Sequence, residues 1–297
     1  MNDLISVTNG NLRVAFHPLG AAIYAIYFND EIMTTSPQSV DDFLKDFIYH
    51  GKTIGPFCGR AKNGIIIIDG EKFRYSQNEG NNTLHGGKDG LSTKIFDYTL
   101  KSDGVIFEYK DDKNEFLVSY TLCDDNSLLV DFNVKSKVRN PIALTNHSYF
   151  CLGEKSIDDL VLTIPANKFI EVDKEDMIPL KEKEIIPCLD FNNGKMIKKD
   201  INDDYLQNSR TKGYDHSFIF NNEPLVVLSS HKYRLSITTS FEAVQVYSDN
   251  YNEGVKMINS DELIHRGIAI EPQDNQLKRK IYDGVYHRYI KYHFEKK

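Results

Sequence analysis

Apolar and polar residues alternate with a period of two along most of the chain, which predicts strands with one buried face. Over residues 116–122, Phe116, Val118, Tyr120 and Leu122 fall on one side, with Ser119 and Thr121 on the other. Residues 127–135 repeat the pattern, setting Leu128, Val130, Phe132 and Val134 against Leu129, Asp131, Asn133 and Lys135. Over 234–239, Leu235 and Ile237 oppose Ser236 and Thr238; near the end Tyr286, Ile290, Tyr292 and Phe294 share one face, interrupted by Arg288. The β-branched run Ile65–Ile68 predicts a strand covered on both faces. Turn residues divide these runs at Asp69-Gly70, Asp103-Gly104, Asp124-Asp125-Asn126, Asn192-Asn193-Gly194 and Asn221-Asn222-Glu223-Pro224. Helical signals are few: Ser39 ahead of Asp41-Asp42-Phe43-Leu44-Lys45-Asp46-Phe47 predicts one short capped helix. Strands without alternating helices predict an all-β, antiparallel sandwich rather than a parallel α/β sheet. There is no internal repeat, low-complexity tract or Pro/Gly-rich linker, so one large domain over residues 1–297 is expected.

Composition narrows the partners. A chain with 40% hydrophobic and 27% charged residues can build a sizeable core, and its net charge of -7 argues against nucleic acid. The cluster Lys278-Arg279-Lys280 and the terminal Lys296-Lys297 are short enough to be solvated surface. Cys58, Cys123, Cys151 and Cys188 show no metal-ligand spacing. Met1-Asn2-Asp3-Leu4 lacks the charged and apolar regions of a secretory leader, and no apolar stretch approaches a membrane span. A cytoplasmic protein, monomeric or homodimeric and without a membrane partner, is the expectation.

Several polar residues break the strand pattern. Asn81 through Gly90 holds His85 among three glycines, Gly86, Gly87 and Gly90, which allow sharp turns and close approach to a ligand. It is not a phosphate-cradling loop, because Asp89 stands where Ser or Thr should follow the lysine. Alone, it reads as a glycine-rich turn with an ordinary exposed histidine. In Thr145-Asn146-His147-Ser148-Tyr149-Phe150, His147 suits proton transfer near neutral pH and Tyr149 suits packing or hydrogen-bonding a ligand ring, although alone the string reads more readily as a structural histidine at a strand end. Asp215 precedes a strand-like run and doubles as a turn initiator; Gln245 sits in the alternating stretch Ala243–Tyr247, facing either solvent or a ligand. Glu271 ends the apolar run Gly267-Ile268-Ala269-Ile270, a costly position unless partnered, and one that raises a carboxyl pKa toward that of a general base.

In their order along the chain, these segments resemble the aldose 1-epimerase (galactose mutarotase) family. The resemblance runs from Gly59-Arg60-Ala61-Lys62-Asn63 through the His85, His147, Asp215 and Gln245 segments to Glu271, most of the chain. It implies a large β-supersandwich with the site on a concave sheet surface, an isomerase activity needing neither metal nor organic cofactor, and a sugar as the small-molecule partner. It also implies His147 as general acid, Glu271 as general base, and His85, Asp215, Gln245, Asn63 and Tyr149 as sugar contacts. The family string Gly-Arg-x-x-Asn-Arg ends here in Gly64, so a charge-assisted sugar contact is missing unless Arg60, Lys62 or another cation replaces it. The segment after Glu271 and Phe96, where many relatives have Trp, depart as well. The alternatives are a hexose-6-phosphate 1-epimerase, with Arg60, Lys62 and Lys88 as candidate phosphate cations, and a non-catalytic sugar-binding module on the same scaffold. A metallohydrolase finds no support, since His287 and His293 fall on the polar face of the last strand.

Overall fold

The computed structural model describes residues 4–252 and 254–297; Met1 to Asp3, read above for a leader, lie outside them. Two large sheets carry the fold. One has nine strands in the order Asp97–Leu100, Gly104–Lys110, Asn114–Cys123, Ser127–Ser136, Val285–Lys296, Tyr233–Thr239, Leu225–Ser229, Val161–Thr163 and Lys195–Met196. The other has seven: Pro179–Glu184, Ala166–Val172, Asp215–Phe220, Ala243–Tyr247, Ile268–Gln273, Tyr149–Phe150 and Thr34–Thr35. Their ladders are antiparallel, as the alternation requires of sheets with one buried face. Among the described residues no helix is long and apolar enough to cross a membrane.

The facing sides of the two sheets supply one continuous core that draws residues from Ile5 to Phe294. Val118, Tyr120, Val130, Phe132, Ile290 and Tyr292 come from the nine-stranded sheet, in the phase read from the sequence; Phe218, Val244, Val246, Ile268 and Ile270 come from the other. Phe150 meets Tyr292 across the layers at 5.2 Å between ring centroids. On the seven-stranded sheet this phase turns the intervening residues Gln245, Tyr247, Glu271 and Gln273 away from the core, onto the face that bears the cavity.

The short helix Val40–Lys45 forms as expected, with the Ser39 hydroxyl accepting from the Asp42 N–H at 3.0 Å. Ile65–Ile68 departs from expectation. It forms a hairpin with Glu71–Arg74 outside the two large sheets, where Ile66 packs on a satellite cluster with Phe57 and Cys58 while Ile67 is 60% exposed. With only one side covered, the run is a half-buried strand despite its composition.

Candidate active site

A cavity of about 740 Å³ opens on the outer face of the seven-stranded sheet. Its size falls within the ~300–1,000 Å³ typical of small-molecule sites. Glu271 and His147 meet at its floor, with His147 Nε2 3.3 Å from Glu271 Oε1 and both side chains almost wholly buried. Glu271 comes from the middle of Ile268–Gln273. His147 follows the two-residue strand Thr145–Asn146, and its backbone is locked on both sides: its N–H donates to the Lys52 carbonyl at 3.0 Å, and its own carbonyl accepts from Gly51 N–H at 2.9 Å. The neighbours in the string serve this turn, Asn146 Nδ2 donating to the Gly51 carbonyl and Ser148 Oγ to Asn146 Oδ1.

Burial decides the charge of the pair. It drives the Glu271 carboxyl well above the ordinary carboxylate range, helped by the negative charge of Asp215 and opposed by Arg60. It pulls His147 down to about 3, with the neighbouring His50 adding to the effect. Burial thus favours the neutral form of both groups, a carboxylic acid against an imidazole, which together share one titratable proton. Glu271 Oε2 and His147 Nδ1 are buried without a hydrogen-bond partner among the described residues. Buried polar atoms left in this way are costly, and the hydroxyls of a bound ligand are what would satisfy them here.

From Glu271 a row of polar groups crosses the cavity wall. Gln245 is its register partner on the adjacent strand, and Gln245 Nε2 donates to Asp215 Oδ1. Asp215, raised by burial but offset by Arg60 and Gln245, lies 3.6 Å from Arg60 Nη1. Arg60 in turn donates from Nε and Nη2 to the two oxygens of Glu79, at 2.9 and 3.2 Å, and Glu79 Oε1 also takes Arg210 Nη2.

His85 is buried, not exposed as its glycine-rich turn alone suggested. Its own N–H donates to the Gly59 carbonyl at 3.0 Å, and Gly59 N–H donates to His85 Nδ1 at 3.2 Å. These bonds fold the ring inward, and the next residue must be glycine: a Cβ on Gly86, at φ +84°, would meet the Gly55 carbonyl oxygen at 2.3 Å. Because Nδ1 accepts, the proton sits on Nε2, and His85 presents a donor. Burial, with the nearby Arg60 and Arg279 cations, keeps it neutral by holding its pKa well below the ordinary value.

Tyr149 lines the cavity with its ring. Its hydroxyl donates to the Ile48 carbonyl at 3.0 Å, which leaves the ring as a packing surface and the oxygen able only to accept. Asn63 is exposed on the turn 62–64, its N–H held by Asn82 Oδ1, and is not among the cavity-lining residues. Gly64 stands at φ +69° with a Cβ position only 2.6 Å from the Tyr75 carbonyl oxygen. The backbone there cannot carry an arginine as it stands, and the cation that reaches the cavity from this segment is Arg60. Lys62 is exposed and does not line it.

The segment 46–52 supplies a second stretch of the cavity wall, one that no local sequence pattern singles out. Tyr49, at φ +69°, sets its ring 4.8 Å from His85 and 5.7 Å from His147. Behind it, the Asp46 carboxylate takes His50 Nδ1 at 3.1 Å and Lys52 Nζ at 3.4 Å; His50 and Lys52 outweigh burial and hold Asp46 below the ordinary range. Glu79 and Arg210 were likewise unmarked. Tyr247 and Gln273 were within reach, since each lies two residues from a flagged residue on the same strand face.

His85, His147 and Glu271 bring their donor atoms within 4.8 Å of one another, a set suited by type to a transition metal. Ligation through His85 Nε2 would need the proton moved to Nδ1, where it would face the Gly59 N–H. The local hydrogen bonding thus favours His85 as a donor to oxygen over a metal ligand.

The aldose 1-epimerase family model matches residues 3–278. The aldose 1-epimerase of Haemophilus influenzae is 31% identical, over 91% of this chain and 86% of its own length. The galactose mutarotase of Sus scrofa is 26% identical, over 92% and 85%. Among solved structures, a galactose 1-epimerase from Lactobacillus acidophilus superposes with a TM-score of 0.87 at 25% identity, covering 99% of this chain and 94% of that one.

Proposed function

The chain belongs to the aldose 1-epimerase family, and from that premise we propose that Glu271 and His147 are the base and acid that interconvert the anomers of a neutral aldohexose such as galactose or glucose. One observation carries the reading: the 3.3 Å approach of His147 Nε2 to Glu271 Oε1 on the floor of a sugar-sized cavity.

In the charge-separated form of the pair, Glu271 takes the proton of the C1 hydroxyl while His147 delivers its Nε2 proton to the ring oxygen. The bond from C1 to the ring oxygen breaks and an open-chain aldehyde results. Rotation about C1–C2 presents the other carbonyl face, and the two protons retrace their paths as the ring closes. Nothing is oxidised or reduced, and the sugar keeps its constitution. His85 donates from Nε2, Asp215 accepts, and Gln245 and Arg60 hold further hydroxyls, while the Tyr149 ring supplies an apolar surface. Asn63, exposed and outside the cavity lining, has no part in this proposal.

A neutral substrate is favoured over a hexose 6-phosphate because the cavity's buried cations are already matched. Arg60 faces Glu79 and Asp215, and Lys52 faces Asp46. A purely sugar-binding role is disfavoured by the direct contact of a buried carboxyl with a buried imidazole, an acid–base pair that binding alone does not require. The four cysteines are free and three of them buried, which supports a reducing location.

Polarimetry on freshly dissolved α-galactose and α-glucose tests the proposal. The protein is expected to accelerate mutarotation saturably, and Glu271→Gln or His147→Gln to lower kcat by roughly 100- to 10,000-fold. Saturable sugar binding without faster mutarotation would overturn it.

A further inference from the structure

We propose that Glu79 selects neutral over anionic sugars, its carboxylate filling the seat between Arg60 and Arg210 that a sugar's carboxylate or phosphate would otherwise take. The inference rests on the epimerase reading and names the substrate class that site admits.

The contact geometry is that of anion recognition. Arg60 meets Glu79 side-on with two nitrogens, at 2.9 and 3.2 Å, and Arg210 comes to the same carboxylate from a segment 131 residues away in sequence. Two guanidinium groups converging on one planar anion form the arrangement that recognises carboxylates and phosphates generally. Here the anion belongs to the protein. Glu79 is held in place by a tight turn, its N–H donating to the Asn82 carbonyl and its carbonyl accepting from Asn82 N–H. All three residues line the cavity. Their side chains are 14%, 20% and 39% exposed for Arg60, Glu79 and Arg210, so the first two interact with little screening by solvent.

Position along the wall identifies which part of the sugar is read. The row runs from Glu271 through Gln245 and Asp215 to Arg60, Glu79 and Arg210. With C1 at Glu271 and the ring oxygen at His147, the proposal puts the exocyclic carbon toward the Arg60–Glu79–Arg210 end. In uronic acids and hexose 6-phosphates that carbon carries the charge. There both guanidinium groups are already paired with Glu79 and Asp215, so an added anion would meet two carboxylates, and the remaining cavity-lining lysine, Lys88, is exposed to solvent.

Anomer exchange measured by magnetization-transfer NMR tests this, with galactose, galacturonate and galactose 6-phosphate as substrates and the uncatalysed rate of each subtracted. The wild type is expected to favour galactose over each anion by at least about tenfold in kcat/KM, and Glu79→Gln to shrink that preference by at least about tenfold. A general loss of structure would lower all three rates without narrowing the ratio. Comparison of the two anions identifies whether the exposed seat suits a carboxylate or a phosphate. An unchanged preference in Glu79→Gln, or a wild type that handles the anions as well as galactose, would overturn the inference. A wild type inactive on every aldose would instead sink the epimerase reading. If Glu79→Gln fails to fold, Arg210→Gln decides: losing one guanidinium leaves a surplus carboxylate, which should widen the preference, and a preference that narrows or stays the same would overturn the proposal.

Discussion

Ring opening delivers one proton to Glu271 and removes one from His147, so the pair needs a single proton in total. The neutral pair favoured by burial and the charge-separated pair that starts the reaction hold that same proton at different atoms. A sugar whose C1 hydroxyl and ring oxygen come between the two groups offers the path from one form to the other. This fixes the expected pH dependence. Below the His147 value of about 3 both groups are protonated and Glu271 cannot accept; above the raised Glu271 value neither is protonated and His147 cannot donate. A bell-shaped profile of kcat/KM is therefore expected, with its acid limb well below the ordinary histidine value of 6.5. An acid limb near 6.5 would mean that His147 titrates like an exposed histidine. At this scale the sequence was informative where a polar residue interrupted a pattern: Glu271 ends an apolar run, and Gln245 sits in an alternating one. Glu79 and Arg210 interrupt nothing. Their roles come from a contact across 131 residues, which no local pattern records.

The segment 46–52 acts as one element. Asp46 accepts from His50 N–H at 2.8 Å and Ile48 N–H at 3.1 Å, and its backbone carbonyl accepts Lys52 Nζ at 2.9 Å. The turn that results holds Tyr49 in a left-handed conformation, which costs on the order of 1–3 kcal/mol and persists only where surroundings enforce it. Removing the Asp46 carboxylate leaves Lys52 buried and unpaired. Asp46→Ala is expected to cost roughly 3–5 kcal/mol in urea unfolding, and Lys52→Met in the same chain to recover part of that loss. If the two changes simply add, the carboxylate and ammonium are not coupled and the turn has another anchor. Sequence patterning found the helix before this segment because its cap is a local signal. It missed the segment itself, where Tyr49 and Lys52 look like ordinary surface residues until the turn carrying His147 hydrogen-bonds to Gly51 and Lys52.

Over the whole molecule, the sandwich was legible because the period of two persists from one end of the chain to the other. Its wiring was not. The final strand Val285–Lys296 lies between Ser127–Ser136 and Tyr233–Thr239, and the strand carrying Glu271 lies between Ala243–Tyr247 and Tyr149–Phe150, pairings set by packing across long intervals. That wiring brings His147 and Glu271, 124 positions apart by number, onto one cavity floor. The misread run Ile65–Ile68 has the same origin: composition reported a buried strand, and only its place outside the large sheets left Ile67 exposed.

A crystal structure of the Glu271→Gln protein with galactose bound tests this convergence most directly. Paired acid–base catalysis requires the C1 hydroxyl within about 3.2 Å of the side chain at position 271 and the ring oxygen within the same reach of His147 Nε2. A sugar bound with C1 toward Arg210, or with its ring oxygen facing away from His147, would contradict it.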